Sequence, residues 1–529
     1  MNKSKSIPLH PRTWPVVLLL PLLFFGCLRG SGPDDISGTI IGRLDVAPVW
    51  SVHRAGPPEL LTRDGLQYVA YYDHDRFLTL AQRQLDSSEW KFHRFPVQMD
   101  WQTGAHAKLS LALDRHGYIH ITCYRRRLQQ EPPMPPRPIY YRSLAPHSIA
   151  GFERLYMVSE NERTDYPTFT TIDGTLFFSF RDGGSGRGDQ YFYRYDDGRR
   201  QWEQVLDTPL LDGRGEMSAY AIGGGLPVPG PDGRWHLLWM WRDTPDHATN
   251  HSLSYARTVG SDLGRWESAA GVPVTPPFTI DHTELLVDDA PPGGGLSNPL
   301  QAMSFDSRNR AVISYHRFDE TGASQIYNAR FDGESDGRMD QENNAIFDYE
   351  KNARIAGEKN AHFDDGKNDR IEGGKWTVVP ATRWDFVWGE SYSGTGALNI
   401  FGTVRMSGVT PSGNGELIQT VWNREEGEAL VVLDEESLQP IRLEIPRPTG
   451  WRQQLLEPES GFQVEPIPDL RRAGGPMQVE LIPDSHGMDE DGVSWFLRWE
   501  HGGANRDRPV PEPWPEPSML RVYKISNAD

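Results

Sequence analysis

Long stretches with the 3.6-residue period of a helix are scarce in this sequence, and so are cysteine and excess positive charge. The 529 residues include two cysteines and carry a formal net charge of −19 at pH 7. This charge argues against a nucleic-acid partner, because such a partner requires a basic face. It does not exclude an acidic ligand, since a local group of arginines can dominate one cleft. The two cysteines show no spacing typical of a metal site.

Residues that favour turns and β-strands are abundant instead. The chain contains 52 glycines, 42 prolines and 17 tryptophans. With so little helical periodicity, this composition predicts short strands joined by many turns. All-β folds often exceed about 200 residues as one unit, so the length does not require several domains.

The N-terminal residues 1–27 have the pattern of an export signal. Basic residues precede an apolar run from Val16 to Phe25, which is too short to span a bilayer once Pro21 is counted. We therefore assign residues 1–27 to a signal peptide and residues 28–45 to a polar linker.

The apolar run ends in the sequence FFGC, which resembles the lipobox of bacterial lipoproteins, with Phe24 where leucine is usual. This resemblance implies a lipid anchor on Cys27 and a cell-envelope location, facing the periplasm or on the outer-membrane surface. The alternative is an ordinary secretory signal cleaved near Gly30, which gives a secreted protein. With Cys27 lipidated, Cys123 is the single remaining cysteine and the mature chain has no disulfide.

A phrase made of a turn and an apolar-aromatic strand recurs along the chain. Its seven copies begin at Asp64, Asp114, Asp173, Asp232, Asp306, Ser412 and Asp491. Asp114, Asp173 and Asp232 are spaced 59 residues apart, and such a period is typical of repeat architectures. We predict an all-β fold, a seven-bladed β-propeller over residues 46–529, which avoids open strand edges by closing radially. A large sandwich or two packed β domains is the alternative, although sandwiches lack so long a period.

Two turns resemble the Asp-box of sialidase-like propellers. The better copy is Ser261 to Trp266 (SDLGRW), and a looser copy runs from Asp196 to Trp202 (DDGRRQW). In families that carry such boxes they are structural turns far from the chemistry, so they support the fold and not a function.

A repetitive insertion interrupts the pattern at about residues 332–375. Asparagine recurs every eight residues from Asn344, in the octads NAIFDYEK, NARIAGEK, NAHFDDGK and NDRIEGGK. These octads are polar and charged, which predicts a solvated excursion of one interstrand loop. A cation-binding stack using Asp348, Asp364 and Asp365 is the alternative.

Polar residues collect where the early repeats end. These groups are Thr103 to His106, Tyr166-Pro167, Arg181 to Gly186, Met217 to Tyr220, and Arg242-Asp243 with Asn250-His251. In a propeller the loops at one end converge on a central funnel, so residues distant in sequence meet there. The tryptophans just before Arg242 are predicted to pack in the core and not to form a sugar platform.

The segments HAKLSLALDRHGYIHITCYRRRL, YPTF with RDGGSGRGD, and WMWRDTPDHATNHSLSYA resemble the BNR-repeat group that contains ulvan lyase-like seven-bladed propellers. The resemblance extends from about Trp101 to Trp266. It implies a lyase that cleaves a uronic-acid-containing polysaccharide, ulvan-like and built of rhamnose and uronate, by β-elimination. Its catalytic residues would be His106, Tyr166 and Arg181.

The chemistry explains these residue types. Removing the C5 proton of a uronate requires that its carboxylate be neutralised, a role suited to a bidentate arginine such as Arg181. His106 suits the base and Tyr166 the donor to the leaving oxygen, although the two roles can be exchanged. Tyr220 is expected to help hold the sugar.

The resemblance also bears on substrate binding and on metals. Arg126, Arg242 and His251 are further substrate-binding candidates, and Arg126 stands where the family commonly has a second histidine. The mechanism requires no cofactor, and a structural calcium or zinc ion is compatible with it. His236, His251 and Cys123 have suitable ligand types, but we assign no metal site.

Two other functions fit the sequence. A glycoside hydrolase on the same scaffold, for example a rhamnosidase, would need paired acids, for which Asp165, Asp182 and Asp243 are the candidates. A non-catalytic glycan-binding lipoprotein is the other alternative. A sialidase is disfavoured, because its three-arginine clamp and its tyrosine-glutamate pair are not recognisable here.

Overall fold

The architecture is seen in a computed structural model of the chain. The structure describes residues 38–54, 56–99, 108–125, 137–157, 164–172, 174–221, 226–333, 375–388, 403–444, 450–465, 475–485, 492–503, 505 and 509–526. Several predictions concern residues outside these ranges, namely the signal segment with Cys27, the site candidates His106 and Arg126, and the octads.

Almost all of the described secondary structure is β-strand, arranged in antiparallel meanders. The first part of the chain contains β1 (Thr39–Val49), β2 (Glu59–Arg63), β3 (Leu66–Tyr72), β4 (Phe77–Gln84), β5 (Lys91–Gln98), β6 (Leu109–Leu113), β7 (Ile119–Arg125), β8 (Arg137–Ser143) and β9 (Phe152–Leu155). The second part contains β10 (Thr164–Ile172), β11 (Thr175–Gly184), β12 (Arg187–Asp196), β13 (Gln201–Gln204), β14 (Ser218–Ala221), β15 (Val228–Pro229), β16 (Trp235–Arg242), β17 (Asn250–Val259), β18 (Asp262–Glu267), β19 (Pro273–Val274) and β20 (Leu286–Asp288). The third contains β21 (Gln301–Phe305), β22 (Ala311–Phe318), β23 (Ser324–Asp332), β24 (Lys375–Pro380), β25 (Val404–Pro411), β26 (Glu416–Asn423), β27 (Gly427–Asp434) and β28 (Pro440–Glu444). The last contains β29 (Gln463–Val464), β30 (Gly475–Pro476), β31 (Gln478–Pro483), β32 (Val493–His501) and β33 (Ser518–Ser526).

Helices are few in the described ranges. One α-helix, α1 (Trp451–Leu456), precedes β29, and two 3₁₀ turns span His247–Thr249 and Thr283–Leu285. None of the helices in this described part is long and apolar enough to cross a membrane.

Consecutive strands pair into four-stranded sheets: β2 to β5, β6 to β9, β21 to β24 and β25 to β28. The strands from β10 to β20 form one larger sheet, in which a single parallel contact, Gly188 with Ser218, joins the meander that begins at β10 to the one that begins at β14. The all-β prediction is confirmed.

In at least two copies of the repeated phrase, the opening aspartate closes the hairpin turn of its meander. Asp114 Oδ1 accepts the N–H groups of His116 and Tyr118, both at 2.9 Å. Asp306 closes its turn in the same way, with the N–H groups of Arg308 and Arg310. Aspartate at this position therefore recurs because its side chain satisfies turn N–H groups that would otherwise lack a partner.

The first and last described strands pair in one sheet. β1 pairs antiparallel with β33, from Thr39 opposite Ser526 to Val49 opposite Ser518, and the strand order is β1-β33-β32-β31. Residues 39–45, which the sequence analysis assigns to a linker, are therefore part of a strand. Their assignment failed because the partner strand lies at the other end of the chain.

The octad insertion lies between two strands that pair with each other. β23 ends at Asp332 and β24 begins at Lys375, and these two residues are opposite one another in an antiparallel ladder. The fold thus continues across this insertion without a break in the sheet.

Neighbouring residues of β11 pack into different layers, which fixes the orientation of its last residues. Phe178 and Phe180 are in a core cluster with Phe169 and Tyr140, toward the preceding sheet. Phe177 is in the cluster that contains Trp239, toward the following meander. Because side chains alternate along a strand, Arg181 points the same way as Phe177.

The tryptophans of β16 belong to the core, as predicted. Trp239 and Trp241 are 0% and 1% exposed, and Trp239 stacks on Phe278 with the ring centroids 5.6 Å apart. In the better Asp-box copy, Asp262 accepts the N–H of Gly264 and the Trp266 indole donates to the carbonyl of Leu263. These contacts are confined to the turn itself.

Candidate functional site

Two strand edges bring four chemically active side chains together. Asp165 of β10 pairs with Arg181 of β11, and Ser218 of β14 pairs with Arg242 of β16, so β10 and β14 begin where β11 and β16 end. The parallel contact between Gly188 and Ser218 sets the two edges side by side. We call Tyr166, Arg181, Tyr220 and Arg242 the arginine–tyrosine cluster.

Tyr166 is placed by an irregularity at the beginning of β10. The register of β10 against β11 shifts between Asp165 and Thr168, and Tyr166 has φ = 56°. A residue other than glycine is rare in this left-handed region, and such backbone strain tends to occur at functional sites. The irregularity brings the Tyr166 ring over Arg181, with the guanidinium carbon 5.0 Å from the ring centroid.

Arg181 is buried beneath the two tyrosines and is held on several sides. It is 4% exposed, its Nη2 donates to Asp165 Oδ2 at 2.9 Å, and its Nη1 donates to the Tyr220 hydroxyl at 2.8 Å. Below it lies Gly188, where a β-carbon would be 3.0 Å from the Arg181 side chain. Nη1 and Nη2 of Arg181, which were expected to bind a substrate carboxylate as a fork, are thus both hydrogen-bonded to protein groups.

Arg242 approaches Tyr220 from the other side. It is 5% exposed, and its guanidinium carbon is 4.2 Å from the centroid of the Tyr220 ring. Its Nε donates to Asn250 Oδ1 at 2.6 Å and its Nη2 to Asn298 Oδ1 at 2.7 Å. These bonds fix the cation in place without neutralising its charge.

The Tyr220 hydroxyl is the meeting point of the cluster. Besides the bond from Arg181, it lies 2.7 Å from Ser185 Oγ and 3.4 Å from Arg242 Nη1. Tyr220 and Tyr166 both keep part of their surface accessible, whereas the arginines do not. The accessible surface of the cluster therefore belongs to the two tyrosines, and the guanidinium groups beneath their rings are buried.

The two tyrosines differ in acidity. Burial, only partly opposed by Arg181, raises the pKa of Tyr166 to about 12. Burial would also raise the pKa of Tyr220, but Arg181, Arg242 and the hydrogen bond with Ser185 outweigh it, and the pKa lies below its ordinary value. Arg181 has a raised pKa despite burial, because both tyrosines and Asp165 favour its charged form. The cluster therefore contains one tyrosine that stays protonated and one that ionises more readily.

The glycine-rich loop between β11 and β12 supplies Ser185. The next residue, Gly186, has φ = 78°, and its N–H donates to Ser218 Oγ at 2.8 Å. A β-carbon on Gly186 would lie 2.5 Å from the carbonyl carbon of Thr244. Glycine is required here because the loop packs against the backbone that follows Arg242, and this contact holds Ser185 near Tyr220.

Several polar residues at this site were not assigned a role by the sequence analysis. Lys108 Nζ donates to Thr168 Oγ1 at 2.7 Å, and Thr168 Oγ1 in turn donates to the carbonyl of Tyr166. Ser185 and Asn250 are within the quoted motifs, but Asn298 is in a region without a recognisable motif. Only the three-dimensional contact with Arg242 identifies Asn298.

The other sequence candidates fall in three places. His106 and Arg126 lie outside the described residues. His251 Nε2 lies 2.8 Å from Asp243 Oδ1 and its Nδ1 lies 2.8 Å from Ser252 Oγ, so its ring nitrogens have partners outside the cluster. Tyr166, Arg181, Tyr220 and Arg242 are the candidates that the structure brings together.

The candidate metal ligands have different surroundings. His236 is buried between Asp232 and Tyr255, at 3.0 and 2.6 Å, and Cys123 is buried in an apolar core cluster. In the described part of the chain, three or more ligating side chains do not come together in a group that could hold a metal ion.

The candidate acids of a two-carboxylate hydrolase have different partners. Asp165 is bonded to Arg181 and Asp243 to His251, whereas Asp182 lies opposite Asp189 in the β11–β12 ladder. Burial, with contributions from Asp212 and Asp182, raises the pKa of Asp189 to about 6. Asp189, close in sequence to the cluster, is therefore more easily protonated than an ordinary aspartate.

A cavity of about 420 Å³ lies elsewhere, between the β22–β23 turn and the segment after β24. Its lining includes Asp319, Gln325 and Arg383, but no member of the arginine–tyrosine cluster. Asp319 accepts hydrogen bonds from Gln325 and from its own turn, so these polar groups already have partners. The arginine–tyrosine cluster is the stronger candidate site, because perturbed pKa values and buried charges coincide there.

Three solved structures that align with this chain are two of an ulvan lyase and one of an arabinanase. An ulvan lyase described as a new family of polysaccharide lyase aligns at 12% identity with a TM-score of 0.50, covering 88% of this chain and 97% of that chain. The same kind of lyase bound to -[GlcA(1-4)Rha3S]- aligns at 12% identity and a TM-score of 0.48, over 88% and 97%. An exo-1,5-alpha-L-arabinanase from a bovine ruminal metagenomic library aligns over 54% of this chain and 96% of that chain, at 10% identity and a TM-score of 0.28. At such low identities the likeness to the first of these concerns the fold, which is of the propeller type.

The family is defined by sequence. Residues 66–342 match the BNR repeat-containing family, a span of more than half of the chain, and the protein belongs to that family. The resemblance to BNR-repeat, ulvan lyase-like proteins that the motifs indicated is confirmed. No curated protein matches this sequence.

Proposed function

We propose that this protein is a polysaccharide lyase that cleaves a uronic-acid-containing polysaccharide by β-elimination. The observation that carries the proposal is the arginine–tyrosine cluster, in which two buried arginines, 4% and 5% exposed, lie beneath two accessible tyrosines. In β-elimination a base removes the C5 proton, the electron pair forms the C4–C5 double bond, and the C4–O bond breaks as its oxygen takes up a proton. A site for this reaction needs positive charge beside the carboxylate and a proton donor beside the leaving oxygen.

The charge of the cluster suits an anionic sugar. Arg181 and Arg242 contribute two positive charges, and Asp165 balances one of them at 2.9 Å from Arg181. This positive charge is held in a site of low accessibility, where electrostatic interactions are stronger than in water. A uronate carboxylate above the tyrosines would compensate that charge, which favours the carbanion-like transition state.

Tyr166 suits the role of proton donor. Its pKa of about 12 keeps the hydroxyl protonated at neutral pH, so a proton is available for the leaving oxygen. His106 remains the proposed base. The Arg181 cation, which lies beneath the tyrosines, is the proposed group that neutralises the substrate carboxylate. Arg126, Arg242 and His251 remain proposed contacts to the polysaccharide.

The scaffold in this proposal is a seven-bladed propeller. The strand pairing is consistent with seven meanders: one sheet each from β2, β6, β21 and β25, two within the larger sheet, and one made of β31 to β33 with β1. In such a ring the N-terminal strand completes the last blade, and the cluster lies where inner strands of neighbouring blades begin.

The proposed substrate and location follow from the same comparison and from the N-terminal signal. The ligand of the related lyase contains glucuronate linked to sulfated rhamnose, and a similar rhamnose-uronate polymer is our proposed substrate. Export through residues 1–27 with a lipid on Cys27 would place the enzyme in the cell envelope, where polymers are encountered. No cofactor takes part in the proposed reaction.

The experiment is an ultraviolet assay for unsaturated uronate, with protein lacking residues 1–27 and a panel of uronate polysaccharides. Wild type should produce the unsaturated product, and Tyr166→Phe should lower the rate roughly 100- to 10,000-fold, the usual contribution of a positioned acid. Arg181→Ala should abolish the signal. Tyr68→Phe removes a hydroxyl from a fully buried tyrosine remote from the cluster and should retain activity.

The other outcomes identify the alternatives. New reducing ends without unsaturated product would establish a glycoside hydrolase, for which Asp165, Asp182 and Asp243 are the candidate acids. Binding of the polysaccharide without either product would establish a non-catalytic glycan-binding protein. Either result contradicts the lyase proposal.

A further inference from the structure

Tyr166 and Pro167 form a β-bulge at the beginning of β10, because these two residues lie opposite a single residue of β11. Tyr166 has φ = 56°, whereas a residue that precedes proline favours an extended conformation. A bulge can redirect a side chain, and this one directs the Tyr166 ring over Arg181. Such a conformation persists only where the surrounding structure imposes it, so the contacts that hold the bulge also determine the position of the proposed proton donor.

Contacts that hold the bulge come from the preceding meander. Lys108, immediately before β6, donates from Nζ to Thr168 Oγ1 at 2.7 Å, and Thr168 Oγ1 donates to the Tyr166 carbonyl at 3.1 Å. The direction of this relay is fixed, because an ammonium group only donates and the hydroxyl has one hydrogen to pass on. Ser110 Oγ of β6 accepts the N–H of Phe169 at 3.0 Å, so a second contact joins the same two strands just beyond the bulge.

We propose that Lys108 is a positioning residue of the site, which acts through Thr168 to hold Tyr166 in the left-handed conformation that keeps its ring over Arg181. The ammonium group of Lys108 polarises the Thr168 hydroxyl, which strengthens the hydrogen bond to the Tyr166 carbonyl. The neighbouring meander therefore helps to orient the proton donor. The inference rests on the proposed function for the reaction in which Tyr166 takes part, whereas the relay itself is a matter of geometry.

This role of Lys108 differs in its kinetic effect from two other roles. A positioning contact acts on the transition state, so its loss lowers kcat and leaves KM nearly unchanged. A contact between Lys108 and the polysaccharide itself would raise KM when it is lost. A purely structural contact would lower the free energy of unfolding without changing the turnover of the folded enzyme.

The kinetic test uses the ultraviolet assay for unsaturated uronate. Thr168→Val removes the hydroxyl and keeps the shape, and it should lower kcat roughly 10- to 100-fold, as expected for a small displacement of a reacting group. Thr168→Ser keeps the hydroxyl and should restore turnover. Lys108→Met, at a partly exposed position, should lower kcat in a similar way. The double variant should be no slower than Thr168→Val, because both changes break the same relay.

The matched control is Thr171→Val. Thr171 Oγ1 also joins β10 to the preceding meander, by a bond to the Leu113 carbonyl at 3.4 Å, but it lies near the other end of β10. This variant should have wild-type turnover. The proposal is overturned if Thr168→Val has the same kcat as Thr171→Val, or if Lys108→Met raises KM alone.

Crystal structures of the variants test the geometry without any turnover. In Thr168→Val the Tyr166 backbone should leave φ near 56° and its ring should move away from Arg181, whereas Thr168→Ser should keep both features. Lys108→Met provides the same test if Thr168→Val does not fold. An unmoved Tyr166 in these variants overturns the inference even in an active lyase. A displaced Tyr166, in a protein whose wild type forms no unsaturated uronate, refutes the proposed function alone.

Discussion

The buried ion pair between Asp165 and Arg181 offers a sharp test of how the site is built. The side chains are 10% and 5% exposed, with Asp165 Oδ2 2.9 Å from Arg181 Nη2. Asp165→Asn keeps the shape and removes the charge, which leaves the Arg181 cation buried with less compensation. Breaking a buried pair from one side costs about 3–5 kcal/mol, and we expect about 3 kcal/mol, because the Tyr220 hydroxyl still accepts a hydrogen bond from the same guanidinium.

The matched control is Asp75→Asn. Asp75 Oδ2 lies 2.7 Å from Arg94 Nη2, a separation similar to that of the buried pair, but the two side chains are 52% and 46% exposed. Solvent screens such a pair, and Arg94 also contacts Asp73, so its loss should leave stability unchanged within error.

Urea denaturation followed by tryptophan fluorescence measures both changes in the same way. The free energy of unfolding should decrease for Asp165→Asn, with a lower midpoint and an unchanged slope, and should not decrease for Asp75→Asn. If Asp165→Asn is as stable as wild type, the pair is not a buried unit and the charge balance inferred for the cluster is wrong.

Three further predictions concern the backbone near Arg181, the closing strand and the proton donor. Gly188→Ala places a methyl group 3.0 Å from the Arg181 side chain and should reduce turnover by roughly 100-fold, as expected for a displaced catalytic group. The control Gly461→Ala, with open space around the new methyl group, should have wild-type turnover. Equal turnover of the two variants would contradict this packing. Deleting residues 1–49 instead of 1–37 removes β1 and exposes the edge of β33. The shorter protein should therefore melt at a lower temperature and form aggregates that light scattering detects. Equal melting temperatures of the two truncated proteins would show that β1 is dispensable. Because the pKa of Tyr166 is about 12, its hydroxyl remains protonated below that pH, and lyase activity should not fall through ionisation of Tyr166 near pH 9 to 10. A loss of activity in that range that disappears only in Tyr166→Phe would refute its role as the donor.

Local pattern accounts for a large part of what was predicted. Period-two alternation and the aspartate turns predicted strands such as β11 and β16, and the aromatic residue type predicted that Trp239 and Trp241 pack in the core. These features depend on neighbours a few residues apart, so they are legible in the sequence itself. The motifs around Tyr166, Arg181 and Arg242 also identified residues that the structure brings into one cluster.

Long-range pairing was harder to predict. Thr39 to Asp45 looked like a linker because the strand that pairs with them, β33, begins more than 450 residues later. Asn298, likewise, has no local signature, and its role is visible only in the bond to Arg242.

The sequence by itself determined the all-β class, the repeated turn-and-strand unit, the family and the residue types gathered at the strand ends, because each depends on local periodicity or on short motifs. The tertiary structure determined the burial and the acidity of each of those residues. It buried the two arginines, left the two tyrosines accessible, and lowered the pKa of Tyr220 while raising that of Tyr166. The physical reason is that burial and net charge around a side chain are sums over neighbours from several strands, and those neighbours are assembled only when the sheets pack.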